Sequence, residues 1–240
     1  YLFILSVISA KILASKITSV LLRKESKKEA IPSDLLSPKA NRYLKNKYIF
    51  EYIVALFLFI AISPLLVLIA FLVKIDSKGE VFFKHKRYGL SGKAFYVYKF
   101  RTMVNGAHEL QSKISHLNEM DGGKLFKSDK DPRITSLGKF LRRTSLDELP
   151  QLFNILKGEM TIIGPRPIST PISDYEEEEL QRFKVKPGLG CIWQAYFRQH
   201  TDFSLWMKTD IIYIRNVSFK LDVKLFVTIL KSVLLKKGAR

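Results

Sequence analysis

A long apolar segment from Ile49 to Val73, IFEYIVALFLFIAISPLLVLIAFLV, dominates the folding of this chain, because Glu51 is its single charged residue. An α-helix rises about 1.5 Å per residue, so a helix of this length exceeds the roughly 30 Å hydrocarbon core of a bilayer. The segment therefore predicts a membrane helix rather than the core helix of a soluble protein.

Ser63 and Pro64 lie near the middle of this segment, where proline removes one backbone donor and predicts a sharp bend. Lysines flank both ends of the segment, and basic residues favour the cytoplasmic side of a membrane. Two paths fit these observations. The helix either breaks at Ser63 and Pro64 and returns to the face it entered, or it spans the membrane with a kink, and charge and proline alone do not separate the two.

The rest of the chain divides around this helix. Residues 1–22 begin with the apolar run YLFILSVISA and predict the tail of a membrane or interfacial helix. Residues 23–47 are basic and polar with two prolines, which predicts a cytoplasmic linker. The membrane helix is expected over residues 48–75, and a cytoplasmic domain over residues 76–240.

The formal net charge of +18 points to an anionic partner, which can be nucleic acid, lipid headgroups or a phosphorylated substrate. The chain has no helix-turn-helix pattern, zinc finger or RNP-type strand, so we expect no nucleic acid partner. Its one cysteine, Cys191, excludes an internal disulfide, and its four histidines are scattered without zinc-ligand spacing.

Strand and helix patterns alternate in the second half of the chain. VFFKHKR and KAFYVYKF flank the turn YGLSG, which predicts a β-hairpin with a basic face. Short helices are predicted from Thr135 or Ser136 to about Arg143, and from Pro150 to Lys157 before Gly158. Near the C-terminus, apolar residues from Leu221 to Leu234 recur at helical spacing and predict an amphipathic helix, which suits either core packing or docking on a membrane surface.

Asp147 and Glu148 form an adjacent acidic pair within RRTSLDELPQLFNILKGEMTIIGPRP. A carboxylate held among cations near an apolar surface suits attack on phosphorus, because the cations bind phosphate oxygens and keep the carboxylate ionised. A structural role is also open, since Ser145 to Glu148 fits the S-x-x-E capping box. If a helix begins instead at Pro150, the pair lies just before its positive end, which also favours phosphate.

From about Lys45 to Gly238 the chain resembles the bacterial sugar transferases, the monotopic phosphoglycosyl transferases. The matching blocks occur in the family's order: Ser63-Pro64, RYGLSG, KFRTM, DPRIT, SLDELPQL, GPRP and KPGLGCIWQAYFR. The resemblance implies an α+β monotopic membrane protein with a re-entrant helix-break-helix anchor and a small basic hairpin. It also implies a helical catalytic domain with amphipathic interfacial helices, on the cytoplasmic face of the bacterial inner membrane.

The family's reaction transfers a sugar-1-phosphate from a UDP-sugar to polyprenyl phosphate, such as undecaprenyl phosphate, and releases UMP. It is the first membrane step of cell-surface glycan synthesis. By resemblance, Asp147 is the nucleophile that forms a covalent aspartyl phosphosugar intermediate, and Glu148 works with Mg²⁺, so both carboxylates are candidate metal ligands. The expected partners are the UDP-sugar, the polyprenyl phosphate and membrane lipids, while a homo-oligomer is left open.

The resemblance also implies the residues that contact phosphate or nucleotide. They are Arg142, Arg166, Lys99, Arg101, Pro165, Pro167, Gln194 and Arg198. Gly190 and Cys191 replace the usual Thr-Gly of the family, which leaves the nucleotide and sugar contacts of that loop open. The alternative function is a non-catalytic membrane adaptor or sugar-nucleotide-binding protein, and the intact acidic pair and its arginines argue against it.

Overall fold

The computed structural model describes residues 36–107, 109–110, 131–197 and 202–234. All of these residues belong to one compact unit, Leu36–Arg240. The helix predicted over residues 1–22, the first part of the predicted linker and Arg198 lie outside the described residues. The described part mixes helices with short strands and is mostly helical.

Helix α1, Pro38–Asp76, contains the segment predicted as a membrane helix, but it begins within the segment predicted as a linker. Its first turn is capped by Ser37, whose side chain accepts a hydrogen bond of 3.1 Å from the Ala40 N–H. Pro38 occupies the start of the helix, where its missing N–H costs no hydrogen bond. These two local signals begin the helix early despite the basic composition of the segment.

The backbone of α1 stays helical through Ser63 and Pro64, where the sequence predicts a break. Pro64 has no N–H to donate to the Ile60 carbonyl, one turn earlier in the helix. The Ser63 hydroxyl donates to this carbonyl instead, at 2.8 Å. The serine thus replaces the hydrogen bond that the proline removes.

Helix α1 is also long and apolar enough to cross a membrane. Only 11% of its apolar 18-residue stretch is buried, and apolar side chains such as Phe57 and Val67 are 70% exposed. Soluble proteins rarely leave so large an apolar surface uncovered.

Strands β1, Phe82–Tyr88, and β2, Ala94–Phe100, pair antiparallel, with Phe82 opposite Phe100 and Tyr88 opposite Ala94. The turn Leu90–Gly92 joins them, and Gly92 adopts the left-handed φ of 71° that glycine tolerates without strain. Side chains alternate between the two faces of the paired strands.

Two helices and a second pair of strands pack around β2. Helix α2 is Ser136–Thr144 and helix α3 is Gln151–Leu156, the latter bounded by Pro150 and Lys157. Strands β3, Thr161–Ile163, and β4, Gly188–Gly190, pair in parallel. Two buried clusters pack α1 against this layer: Ala55, Phe95, Val97, Leu152, Ile155 and Met160, and then Ile69, Val73, Phe100 and Leu141.

Helices α4, Ile192–Tyr196, α5, Phe203–Asn216, and α6, Phe219–Leu234, form the C-terminal part. The predicted amphipathic helix α6 has one side in the core, where Leu225 is fully buried. It also leaves a set of large apolar side chains exposed: Phe219, Val223, Phe226, Val227 and Leu230. One side of α6 therefore fits core packing, and the other side fits docking on a membrane surface.

A buried polar cluster ties α1 to the C-terminal helices and to β3. The Lys47 ammonium lies 2.7 Å from the Asp222 carboxylate and donates to the Tyr213 hydroxyl at 2.8 Å. Lys47 and Tyr213 both donate to the carbonyl of Ile163, the last residue of β3. Glu51 accepts from the Ile162 N–H at 3.0 Å. These contacts fix the start of the GPRP segment relative to α1.

Candidate active site

The acidic pair lies in a tight turn between α2 and α3. Ser145 ends α2 in the left-handed conformation, with φ of 58°, which costs a non-glycine residue roughly 1 kcal/mol. The next three residues, Leu146–Glu148, form a single 3-10 turn that the Ser145 side chain does not cap. The capping box is therefore not formed, and the acidic pair has no capping role here.

Glu148 is shared by two cations from different parts of the chain. The Lys99 ammonium at the end of β2 lies 2.6 Å from Glu148 Oε1, and the Arg166 guanidinium lies 3.2 Å from the same oxygen. Burial alone would raise the pKa of Glu148, but the charges of Lys99 and Arg166 outweigh it and lower this pKa to about 2. Glu148 is therefore ionised throughout the physiological pH range.

Asp147 has a different environment, although it is the neighbouring residue. Its side chain is buried, with 8% of the residue exposed, and no donor among the residues that the structure describes hydrogen-bonds to its carboxylate. Burial raises the pKa of Asp147 to about 6 with help from the Glu148 charge, against the opposing charges of Lys99, Arg142 and Arg166. The pair thus combines a fixed anion with a carboxylate that titrates near neutrality.

Arg142 and Arg166 complete the group of cations around the pair. The Nε–H of Arg142 donates to the Thr102 hydroxyl at 2.9 Å, and the Arg142 charge interacts with Asp147. Arg166 lies in the GPRP segment, which follows β3 and lies next to β4. Gly188 packs so closely there that a Cβ added to it would lie 2.0 Å from the Gly164 nitrogen. The structure therefore brings together five of the predicted site residues: Asp147, Glu148, Lys99, Arg142 and Arg166.

Other predicted site residues are engaged elsewhere. Arg101 donates to the Ser77 hydroxyl at 2.9 Å and to backbone carbonyls at the C-terminal end of α1. The Gln194 amide lies 3.5 Å from the Cys191 sulfur. Burial raises the pKa of the Cys191 thiol to about 12, which keeps it unreactive. Pro165 and Pro167 flank Arg166 and restrict the backbone on either side of it.

Comparison with known proteins shows the family of the chain. The family described as bacterial sugar transferase matches residues 41–236. The chain belongs to this family.

Several curated members of the bacterial sugar transferase family are similar to the chain. The undecaprenyl-phosphate galactose phosphotransferase of Salmonella typhimurium is 36% identical over 85% of this chain and 43% of its own length. The UDP-glucose:undecaprenyl-phosphate glucose-1-phosphate transferase of Klebsiella pneumoniae is 39% identical over 78% of this chain and 40% of its own length. The exopolysaccharide production protein ExoY of Rhizobium meliloti is 36% identical over 78% of this chain and 83% of its own length. The chain thus spans less than half the length of the first two relatives.

Two residues that the sequence did not single out hold Arg166 in place within this candidate site. The Arg182 guanidinium lies 2.7 Å from the Asp210 carboxylate, and both side chains are almost completely buried. Arg182 also donates to the Arg166 carbonyl, while Asp210 accepts from the Arg166 N–H. One buried ion pair therefore holds both backbone polar groups of the residue whose side chain binds Glu148.

The sequence contains a signal for one member of this ion pair, Asp210. Trp206, Met207, Tyr213 and Ile214 mark the buried face of α5, and Asp210 falls on that face at the same helical spacing. A carboxylate on a core face needs a buried partner. The identity of that partner, Arg182, depends on a tertiary contact between α5 and the 3-10 turns of Glu179–Lys184.

The carboxylates of the site fit a magnesium ion only in part. No cluster of three or more His, Cys, Asp or Glu side chains able to hold a metal exists among the described residues. Mg²⁺ in phosphoryl-transfer sites commonly uses one or two carboxylates together with substrate phosphates. Asp147 and Glu148 fit that mode, whereas they do not fit a metal held by protein ligands alone.

We expect Asp210→Asn to lower the free energy of unfolding by about 3 kcal/mol or more, because it leaves Arg182 buried without a counterion. Asp174→Asn, at an exposed carboxylate, is the matched control. Thermal unfolding of the detergent-solubilised protein measures both variants. The double variant Arg182→Met with Asp210→Leu removes both charges but leaves the N–H and the carbonyl of Arg166 without these partners. Each unpaired group should lower the free energy of unfolding by roughly 1–3 kcal/mol. A double variant as stable as the original protein would show that the pair does not hold Arg166.

Proposed function

We propose that the chain transfers a sugar-1-phosphate from a UDP-sugar to a polyprenyl phosphate such as undecaprenyl phosphate. The observation that carries this proposal is the buried Asp147 carboxylate, free of hydrogen bonds from the described residues, beside a Glu148 already paired with Lys99 and Arg166. The names of the relatives from Salmonella typhimurium and Klebsiella pneumoniae support the same reaction.

In the first step, an Asp147 oxygen attacks the β-phosphorus of the UDP-sugar. An oxygen–phosphorus bond forms to Asp147 while the bond from the β-phosphorus to the bridging oxygen breaks, and UMP leaves with that electron pair. In the second step, a phosphate oxygen of the polyprenyl phosphate attacks the same phosphorus. The aspartyl bond breaks, the Asp147 carboxylate is regenerated, and polyprenyl-diphospho-sugar is the product.

The surrounding charges suit this chemistry. Arg142 and Arg166 present guanidinium groups, whose fork geometry matches phosphate oxygens. Glu148 stays ionised and orients Lys99 and Arg166 rather than serving as a proton donor. Mg²⁺ held by Asp147 or Glu148 would supply neutralisation of the diphosphate charge.

The proposed location is the cytoplasmic face of the bacterial inner membrane, with α1 as a re-entrant anchor. Lysines on both sides of the apolar segment support a return to the same face. The Ser63 hydroxyl satisfies the Ile60 carbonyl that Pro64 leaves without a donor, which is compatible with a bend at this point of the otherwise helical backbone. The exposed apolar side of α6, with Lys220, Lys224 and Lys231 on the same helix, suits an interfacial position on anionic lipid.

We expect Asp147→Asn to abolish UMP release while leaving the fold intact. The amide has the shape of the carboxylate but is not a nucleophile, so the rate should fall roughly a thousandfold or more. UMP release from a panel of UDP-sugars with Mg²⁺ and undecaprenyl phosphate measures the activity, and Asp174→Asn is the control. Full activity in Asp147→Asn would rule out the nucleophile, and release of UDP in place of UMP would identify an ordinary glycosyl transfer.

The rate of UMP release should also rise with pH through about 6 and level off above about 7. Asp147 must be ionised to attack, and a pKa of about 6 leaves about a tenth of it ionised at pH 5. Glu148 stays ionised over this range. Lys99→Gln should move the midpoint to higher pH, because the Lys99 charge opposes the pKa rise of Asp147 most strongly. A rate independent of pH between 5 and 8 would contradict this assignment.

Labels at the two ends of the apolar segment test the re-entrant path. Asn46→Cys and Lys78→Cys, each with Cys191→Ser, should react with a membrane-impermeant thiol reagent from the same side. Inverted membrane vesicles, which expose the cytoplasmic face, should label both variants, and intact cells should label neither. Labelling of the two positions from opposite faces would show that α1 spans the membrane.

A further inference from the structure

Three residues of β1 share a face of the hairpin with Lys99. In the antiparallel register Phe83 lies opposite Lys99, His85 opposite Val97 and Arg87 opposite Phe95. Because opposite residues share a face and successive residues alternate, the side chains of β1 on the face of Lys99 are Phe83, His85 and Arg87. The neighbouring Lys84 and Lys86 lie on the other face, where the Lys84 ammonium sits over the Tyr98 ring.

The end of β1 that carries Arg87 adjoins the GPRP segment. The Tyr88 N–H donates to the Ile168 carbonyl at 3.4 Å. Tyr88 and Gly89 also line one small cleft together with Pro165 and Arg166. The charges of Arg166 and Glu148 both act on the Arg87 guanidinium. Arg87 therefore belongs to the same charged environment as the acidic pair, although the site as predicted did not include it.

Arg87 has no direct ion pair in the described part of the chain. No carboxylate there forms a salt bridge with it, and its hydrogen bond joins the guanidinium to His85 Nδ1 at 3.1 Å. Burial first, and then the like charge of Arg166, lower the pKa of Arg87 to about 10. A half-buried guanidinium close to another cation is unfavourable unless an anion binds between or beside them.

The charges of the whole site point the same way. Lys99, Arg87, Arg142 and Arg166 supply positive charge, while Asp147 and Glu148 are the carboxylates among them. Glu148 is already bound by Lys99 and Arg166. A phosphate group attacked by Asp147 would use Arg142 and Arg166, which leaves Arg87 for a second anionic group.

We propose that Arg87, held by His85, binds a phosphate group other than the one that Asp147 attacks. The guanidinium fork suits two phosphate oxygens, and its hydrogen bond to His85 limits its rotation. This inference rests on the proposed function, in which two such groups occur. They are the α-phosphate of the UDP-sugar and the phosphate of the polyprenyl carrier, and both present the same chemistry to Arg87.

Steady-state kinetics of Arg87→Gln test the proposal and separate the two sources. We expect a KM increase of roughly ten- to hundredfold for the substrate whose phosphate Arg87 binds, with an unchanged melting temperature. An increase for the UDP-sugar assigns the α-phosphate, and an increase for undecaprenyl phosphate assigns the carrier. Lys86→Gln removes the same charge one residue away on the opposite face and should leave both KM values unchanged. Unchanged KM values in Arg87→Gln, or an equal increase in Lys86→Gln, would overturn the proposal.

Equilibrium binding distinguishes failure of this inference from failure of the proposed function. If the original protein released no UMP from any donor, the proposed reaction would fail, but binding of UDP and of farnesyl phosphate could still be measured. Arg87→Gln should then weaken binding of one of these two probes by a similar factor, and binding of uridine should not change. Affinities for both probes equal to those of the original protein would overturn the role of Arg87 without reference to turnover.

Discussion

The shared carboxylate of Glu148 is the interaction on which this site depends. It joins the end of β2, through Lys99, to the GPRP segment, through Arg166, and it is itself placed by the turn after α2. These three elements are separated in sequence. A neutral residue in place of Glu148 would leave Lys99 and Arg166 partly buried without an ion-pair partner. The two cations would then lose the shared contact that holds them near Asp147.

Helix α1 takes part in forming the site as well as offering an apolar surface. Lys47 donates to the carbonyl at the end of β3, and Glu51 binds the β3 backbone, so the strand that leads into Arg166 is positioned from one side by α1. Arg182 and Asp210 position Arg166 from the other side. If α1 is the membrane anchor, hydrogen bonds rather than a flexible tether connect the position of that anchor to Arg166.

The sequence predicted which candidate site residues lie together better than it predicted the contacts that place them. Asp147, Glu148, Lys99, Arg142 and Arg166 were identifiable because they lie in short local blocks. Local signals also marked the ends of α3, whereas the Ser37 cap was hidden by the basic composition around it. Arg101 was expected to contact phosphate or nucleotide, but β2 ends at Phe100 and Arg101 binds the end of α1 instead. The Arg182–Asp210 pair joins distant segments, so no local pattern could name both partners.

The different environments of two adjacent carboxylates are compatible with the proposed role of Asp147 as nucleophile. Glu148 forms ion pairs with Lys99 and Arg166, so these cations do not form direct ion pairs with Asp147. Burial then raises the pKa of Asp147 to about 6. A carboxylate bound tightly by a cation would be a weaker nucleophile, and one with a much higher pKa would be protonated at neutral pH. The value of about 6 lies between these limits. The left-handed Ser145 makes the arrangement possible, because it reverses the chain at the end of α2 and places Asp147 in the core while Glu148 reaches the two cations.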